Sequence, residues 1–88
     1  MKLTIIVIES GFVYVGFTSV AQHEILGKVC ILKTSKNIRV WGTTKGLGQL
    51  ANVGTTKDTK IDFVGVVTIP ISKILHFIEV QPDAAKTF

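Results

Sequence analysis

The chain has 88 residues, 47% hydrophobic and 18% charged, with ten lysines and arginines against six acids and a single cysteine, Cys30. A domain of this length buries only about 60–65% of its unfolded surface, a thin margin that disulfides, metals or partners usually supplement. One cysteine excludes an intrachain disulfide and a cysteine-built metal cage, so the apolar surplus predicts a homo-oligomer.

The opening MKLTIIVIES carries an apolar run shorter than the core of an export signal and closed by Glu9, so it reads as a strand. No run approaches the ~20 apolar residues of a membrane helix, which predicts a soluble chain with no membrane partner. The lone cysteine suits a reducing, cytoplasmic setting. Leu3–Glu9 and Phe12–Val20 predict a hairpin across Ser10-Gly11, and Ala21–Lys28 reads as a looser connection. Val29–Leu32 and Asn37–Trp41 predict a second pair across the polar turn Lys33–Lys36. The first of these is continuously apolar, as in a strand covered on both faces. The second alternates, sending Ile38 and Val40 inward and Asn37, Arg39 and Trp41 outward, which places Arg39 and Trp41 on one face. Leu47, Leu50 and Ala51 at i, i+3 and i+4 predict one short helix near residues 45–53, with Thr43 or Thr44 as its cap and Gly54 at its end. Val66–Ile71 and Lys73–Val80 form the last strands and meet at Pro70, which marks an edge or a bend. Residues 1–80 read as a single domain and 81–88 as a loose C-terminal tail. The fold class is β-rich α+β: a small antiparallel barrel-like or half-open sheet, of SH3 or Sm size, with one short helix.

The stretch WGTTKGLGQLANVGTTKDTKID, Trp41 to Asp62, contains Gly-Thr-Thr-Lys twice. Gly46 and Gly48 fall in the first turn of the predicted helix, and a glycine in a helix interior costs about 1 kcal/mol against alanine. Two compensations fit: tight packing of the turn against the sheet, or an anion drawn to bare amides at the positive end of the helix. Charge favours the anion. From Lys28 to Lys60 there are seven cations and one acid, Asp58, whereas the whole chain has a net charge of +4. Lys33 and Lys36 read as solubilising turn residues, and Arg39 with Trp41 as a platform for a base and its phosphate. The candidate ligand-binding residues are therefore Arg39, Trp41, Thr43, Thr44, Lys45, Gly46, Gly48, Thr55, Thr56 and Lys57. In that assignment the lysines neutralise phosphates, the threonines donate hydroxyl hydrogen bonds and the amides of Gly46–Gly48 complete the cradle.

Catalytic patterns are sparse. GLGQLA fits the dinucleotide fingerprint in spelling, yet that fingerprint needs a parallel βαβ unit and an acid further on, and no Walker A frame is present. His23 lies beside Glu24 in the connection and His76 sits between Leu75 and Phe77 in the last strand; neither belongs to a metal-binding spacing. Cys30, between Val29 and Ile31, reads as a core hydrophobe. Asp58 and Asp62 read as ion-paired surface beside Lys57 and Lys60. The expectation is a binding protein with no catalytic residues, no metal and no cofactor.

The block NIRVWGTTKGLGQLANVGTTKDTKID, followed by VVTIPISKILHFIEV, resembles a family of small proteins encoded by bacteriophages and prophages that share an Arg-x-Trp-Gly-Thr-Thr-Lys-Gly-Leu-Gly core. The resemblance covers about half the chain and rests on Arg39, Trp41–Gly48, Leu50, Ala51 and Gly54. Relatives carry proline after that last glycine, where this chain has Thr55. The family brings no established activity; the resemblance implies phage origin and the host cytoplasm. By size and by its site the chain also looks like the phage anti-defence sponges, oligomers that sequester cyclic or ADP-ribose-type nucleotide signals. The expected function is sequestration of such a ligand without turnover. The alternatives are an Sm-like or SH3-like RNA- or DNA-binding module and an inhibitor of a host protein.

Overall fold

The computed structural model of the chain describes residues 2–18 and 29–88. The predicted connection Ala21–Lys28, with His23 and Glu24, and the end of the second predicted strand lie outside them. The first hairpin forms as its residues dictate. β1 (Lys2–Ile8) and β2 (Val13–Thr18) pair antiparallel around a turn in which Gly11 adopts φ 94° and donates its N–H to the Ile8 carbonyl at 3.0 Å. β1 is the strand that is buried on both faces: Ile5 and Ile6 point to opposite sides of the sheet, and each is fully buried in a separate core. That two-sided burial is the reason its apolar run is continuous.

Downstream, the prediction of two short strands gives way to one. β3 (Val29–Val40) runs unbroken for 12 residues, and Lys33–Lys36 lies within it as a bulge rather than a turn. Phe17 pairs with Lys33 and Val15 with Lys36, so Gly16 alone faces both Thr34 and Ser35. Thr34 takes a left-handed φ of 52°, and a Cβ on Gly16 would lie 3.0 Å from that of Ser35, so glycine lets the strands close there. An inserted residue reverses the alternation of side chains. Cys30 and Leu32 therefore enter one core and Ile38 the other. Val29 and Ile31 are exposed, so this segment alternates and is not covered on both faces; Val40, expected inward, is exposed beyond a further register shift after Ile38.

β4 (Lys60–Pro70) begins at Lys60, well before the predicted Val66, and leads through a 3-10 turn at Ile71–Lys73 into β5 (Ile74–Glu79). The result is a five-stranded antiparallel sheet in the order β4-β3-β2-β1-β5. Pro70 ends a strand at the sheet's edge, where its missing N–H costs least. The two outermost strands are consecutive in the chain. Pro70 to Ile74 spans at most about 14 Å of backbone, less than the ~19 Å between the outer strands of a flat five-stranded sheet, so the sheet curls. Ile69 of β4 and Phe77 of β5 accordingly share one cluster with Ile6, Cys30 and Leu32, the filled inside of a half-open barrel.

The outer face of the sheet is covered by α1 (Leu47–Asn52) and α2 (Pro82–Ala85), which bury Leu50, Ala51 and Ala84 against Ile5, Val13, Val15 and Ile38. Residues 81–88, expected as a loose tail, thus belong to the domain. Proline in the first turn of α2 starts the helix, Ala84 has no exposed surface, and the Gln81 N–H donates to the Ala51 carbonyl at 2.7 Å.

Candidate functional site

The two Gly-Thr-Thr-Lys copies meet in space. Gly42, at φ 68°, sits so close to the backbone of Asp58 and Thr59 that any Cβ there would collide with it. The Thr56 hydroxyl donates to the Gly42 carbonyl at 2.5 Å, and the Thr59 hydroxyl donates to the Trp41 carbonyl at 2.8 Å. The loop after β3 and the loop before β4 are therefore one double loop closed by hydroxyl-to-carbonyl bonds.

Between them lies α1, six residues long and flanked by glycines at both ends. Gly46, its N-cap at φ 76°, adopts a conformation open to glycine and lies beside the Trp41 ring, whose Cζ3 is 3.7 Å from where a Cβ would stand. No side chain caps the helix start. The Thr43 hydroxyl donates instead to the Gly46 carbonyl at 2.8 Å, and Gln49 reaches back from the first turn to accept the Lys45 N–H at 3.0 Å, a variant of the capping box. Gly54, at φ 107°, ends the helix as expected, donating its N–H to the Leu50 carbonyl at 3.0 Å. Gly48 differs from these: a Cβ there would meet nothing within 4 Å. Tight packing thus accounts for Gly42 and backbone conformation for Gly46, while Gly48 has no structural requirement for glycine.

The threonines assigned to a ligand are engaged within the chain. Besides Thr43 and Thr56, Thr44 bonds the Gln49 amide oxygen at 3.3 Å. Thr55 bonds Thr87 twice, through its N–H to the Thr87 hydroxyl at 2.8 Å and through its own hydroxyl to the Thr87 carbonyl at 3.1 Å. Their hydroxyl protons hold the loops, and what they can offer a ligand is lone pairs. Arg39 departs from its expected role as well. Its guanidinium grips both carboxylate oxygens of Asp62, at 2.9 and 3.4 Å, so Asp62 pairs with arginine rather than with a lysine. Trp41 turns toward Gly46, and the ring contact among the described residues is Phe12 with Tyr14, not Arg39 with Trp41.

Lys45 and Lys57 remain exposed, one on each half of the double loop, and neither has an ion-pair partner among the described residues. Cys30 lies buried in the core with its sulfur 3.6 Å from the Thr18 hydroxyl, and His76 is exposed on β5. Among the described residues no group of three or more His, Cys, Asp or Glu side chains is placed to hold a metal ion. Sequence reasoning missed Gly42, Thr59, Gln49 and Thr87. Gly42 opens the quoted repeat and Thr59 follows its second copy, but only the folded loops show that they touch; Thr87 carried no signal at all.

No protein-family model matches the chain, and no curated protein matches it. Fold and loops together define a small antiparallel β-domain with a half-open sheet and a double loop joined by hydrogen bonds, which carries Lys45 and Lys57 exposed.

Proposed function

We propose that this double loop binds a phosphorylated, nucleotide-derived ligand and holds it without transforming it. The observation that carries the reading is the interlocking of the two Gly-Thr-Thr-Lys copies, with Lys45 and Lys57 exposed on adjoining loops and without an ion-pair partner among the described residues. Two cations on a pre-organised backbone match two phosphate groups, and binding costs little ordering when the loops are already tied together. Gly48, bare for no structural reason, keeps the approach to the first loop open. Neither histidine nor cysteine lies in the double loop, which supports retention rather than acid–base chemistry.

A cavity of about 60 Å³ among the described residues is lined by none of these loop residues and is far below the 300–1,000 Å³ of ordinary small-molecule sites. In this reading a second copy of the chain helps to enclose the ligand on the double loop. With the resemblance to small phage proteins, this supports a sequestering role against a host's nucleotide signal. Calorimetry with cyclic dinucleotides and ADP-ribose isomers tests the reading. At least one ligand binds, Lys45→Ala and Lys57→Ala each weaken it about tenfold, and the denatured complex releases it intact. Unchanged affinity in both variants, or recovery of a new product, refutes it.

A further inference from the structure

The bulge in β3 builds a second surface. Ile78, Ile5, Val15, Lys36 and Phe63 are successive cross-strand partners from β5 to β4. Residues opposite one another share a face, so this row starts in the helix-covered core and emerges at Lys36, half-buried, and Phe63, 72% exposed. The neighbouring row is Leu3, Phe17 and Lys33. In a regular strand Lys33 and Lys36, three apart, point to opposite faces. The extra residue at Thr34–Ser35 turns them to the same one. Two phenyl rings and two ammonium groups thereby converge on the part of the sheet that α1 and α2 leave uncovered.

The charge here is unmatched among the described residues. The ion pairs among the described residues are Lys2–Glu79, Arg39–Asp62, Lys73–Glu9 and Lys86–Asp83, and none involves Lys33 or Lys36. Asp62, next to Phe63 in sequence, pairs with Asn37 across the strands and so faces the other way. The cavity of about 60 Å³ opens on this same face, lined by Phe17, Thr34, Lys36, Ala85 and Phe88 among others.

We propose that this face binds single-stranded nucleic acid, with bases stacked on Phe63 and Phe17, Lys33 and Lys36 on the phosphates, and the edge of a base entering the cavity. Exposed rings interleaved with lysines on a sheet are the elements by which unpaired bases are held, because every base offers a π-face and every linkage a negative charge. Phe17 and Phe63 lie two strands and one row apart, about 12 Å, a spacing that suits bases splayed onto separate rings. The face is separate from the double loop and stands independently of the reading given for it.

Fluorescence anisotropy with a 5′-labelled oligothymidylate of about 12 nucleotides, between about 50 and 200 mM salt, tests the proposal. Phe63→Ala weakens binding about tenfold while Phe63→Tyr keeps it, and the exposure of this side chain lets both variants fold. Lys33→Gln with Lys36→Gln lowers the slope of log affinity against log salt by about 1.4, as expected for two contacts to a single strand. Lys73→Gln, a change in the turn before β5 where the lysine pairs with Glu9, leaves binding unchanged. No binding at low salt, a Phe63→Ala variant that binds like the wild type, a loss in Lys73→Gln equal to that in the Lys33 and Lys36 variant, or competition by polyglutamate as strong as by unlabelled oligothymidylate each overturns it.

Discussion

Gly48→Ala separates a glycine kept for folding from one kept for a ligand. Gly48 is helical, Leu50 and Ala51 are the buried residues of α1, and an added Cβ at Gly48 projects into open space with nothing within 4 Å. Alanine there restricts the unfolded chain and favours the helix, worth about 0.5–1 kcal/mol in mid-helix. In the first turn of a six-residue helix the low end applies, about 0.5 kcal/mol. For a domain of this size that raises the melting temperature by about 2–4 °C. The Asn52 side chain still donates to the Gly48 carbonyl at 2.8 Å, so no hydrogen bond is lost. Thermal and urea melts read the stability, and titration with any ligand of the double loop reads the affinity. A more stable protein that binds less well is the expected result. Destabilisation refutes the structural reasoning, since it requires a contact that the fold does not contain; a more stable variant with unchanged affinity removes Gly48 from the site.

Gly42→Ala has the opposite outcome: a left-handed φ of 68° and a collision with the Asp58–Thr59 backbone together cost about 2–4 kcal/mol, measured by urea denaturation, and a wild-type midpoint rules out the interlocked loops. Thr87→Val removes the acceptor of the Thr55 N–H and the donor to the Ala84 carbonyl at 2.7 Å, costing about 1 kcal/mol and speeding hydrogen exchange at the Thr55 amide; a protected amide in the variant contradicts the tether. Lys73 is hydrogen-bonded to Glu9 at 2.8 Å, and that bond with the Coulomb attraction of the same carboxylate raises its pKa above the ordinary 10.5. A raised lysine stabilises the folded state fully below the unfolded value and loses that contribution as pH climbs through the folded one. The stability difference between wild type and Lys73→Met therefore shrinks on titration from neutral to above pH 10.5, and a difference that grows there overturns the assignment.

Local chemistry reaches the eye directly in this chain. Ser10-Gly11 closes a hairpin because glycine accepts φ 94°, Leu47, Leu50 and Ala51 make a helix because their spacing matches its turn, and Gly54 stops it for the same conformational reason. The β-rich class, the half-open sheet and the edge position of Pro70 follow from composition and punctuation of this kind. What tertiary structure decided is everything that depends on partners distant in sequence. Lys33–Lys36 has the polarity of a turn, yet β2 and β4 pair along both sides of it, and those ladders hold a bulged strand where the isolated segment has no such constraint. Gln81–Phe88 has the composition of a tail, but Ala84 is buried in the same core as Ala51 and the Thr87 side chain ties back to Thr55. Arg39 and Trp41 are two residues apart, and alternation alone puts them on one face; Asp62 on the adjacent strand takes the guanidinium because a close bidentate ion pair outcompetes a contact with an aromatic ring. The residue types of the basic double loop were written in the repeat itself, while the use of its threonine hydroxyls was settled by the folded loops: Thr43 and Thr44 find acceptors within their own turn, at the Gly46 carbonyl and Gln49, whereas Thr56 and Thr55 reach the carbonyls of Gly42 and Thr87, which only the tertiary structure brings near.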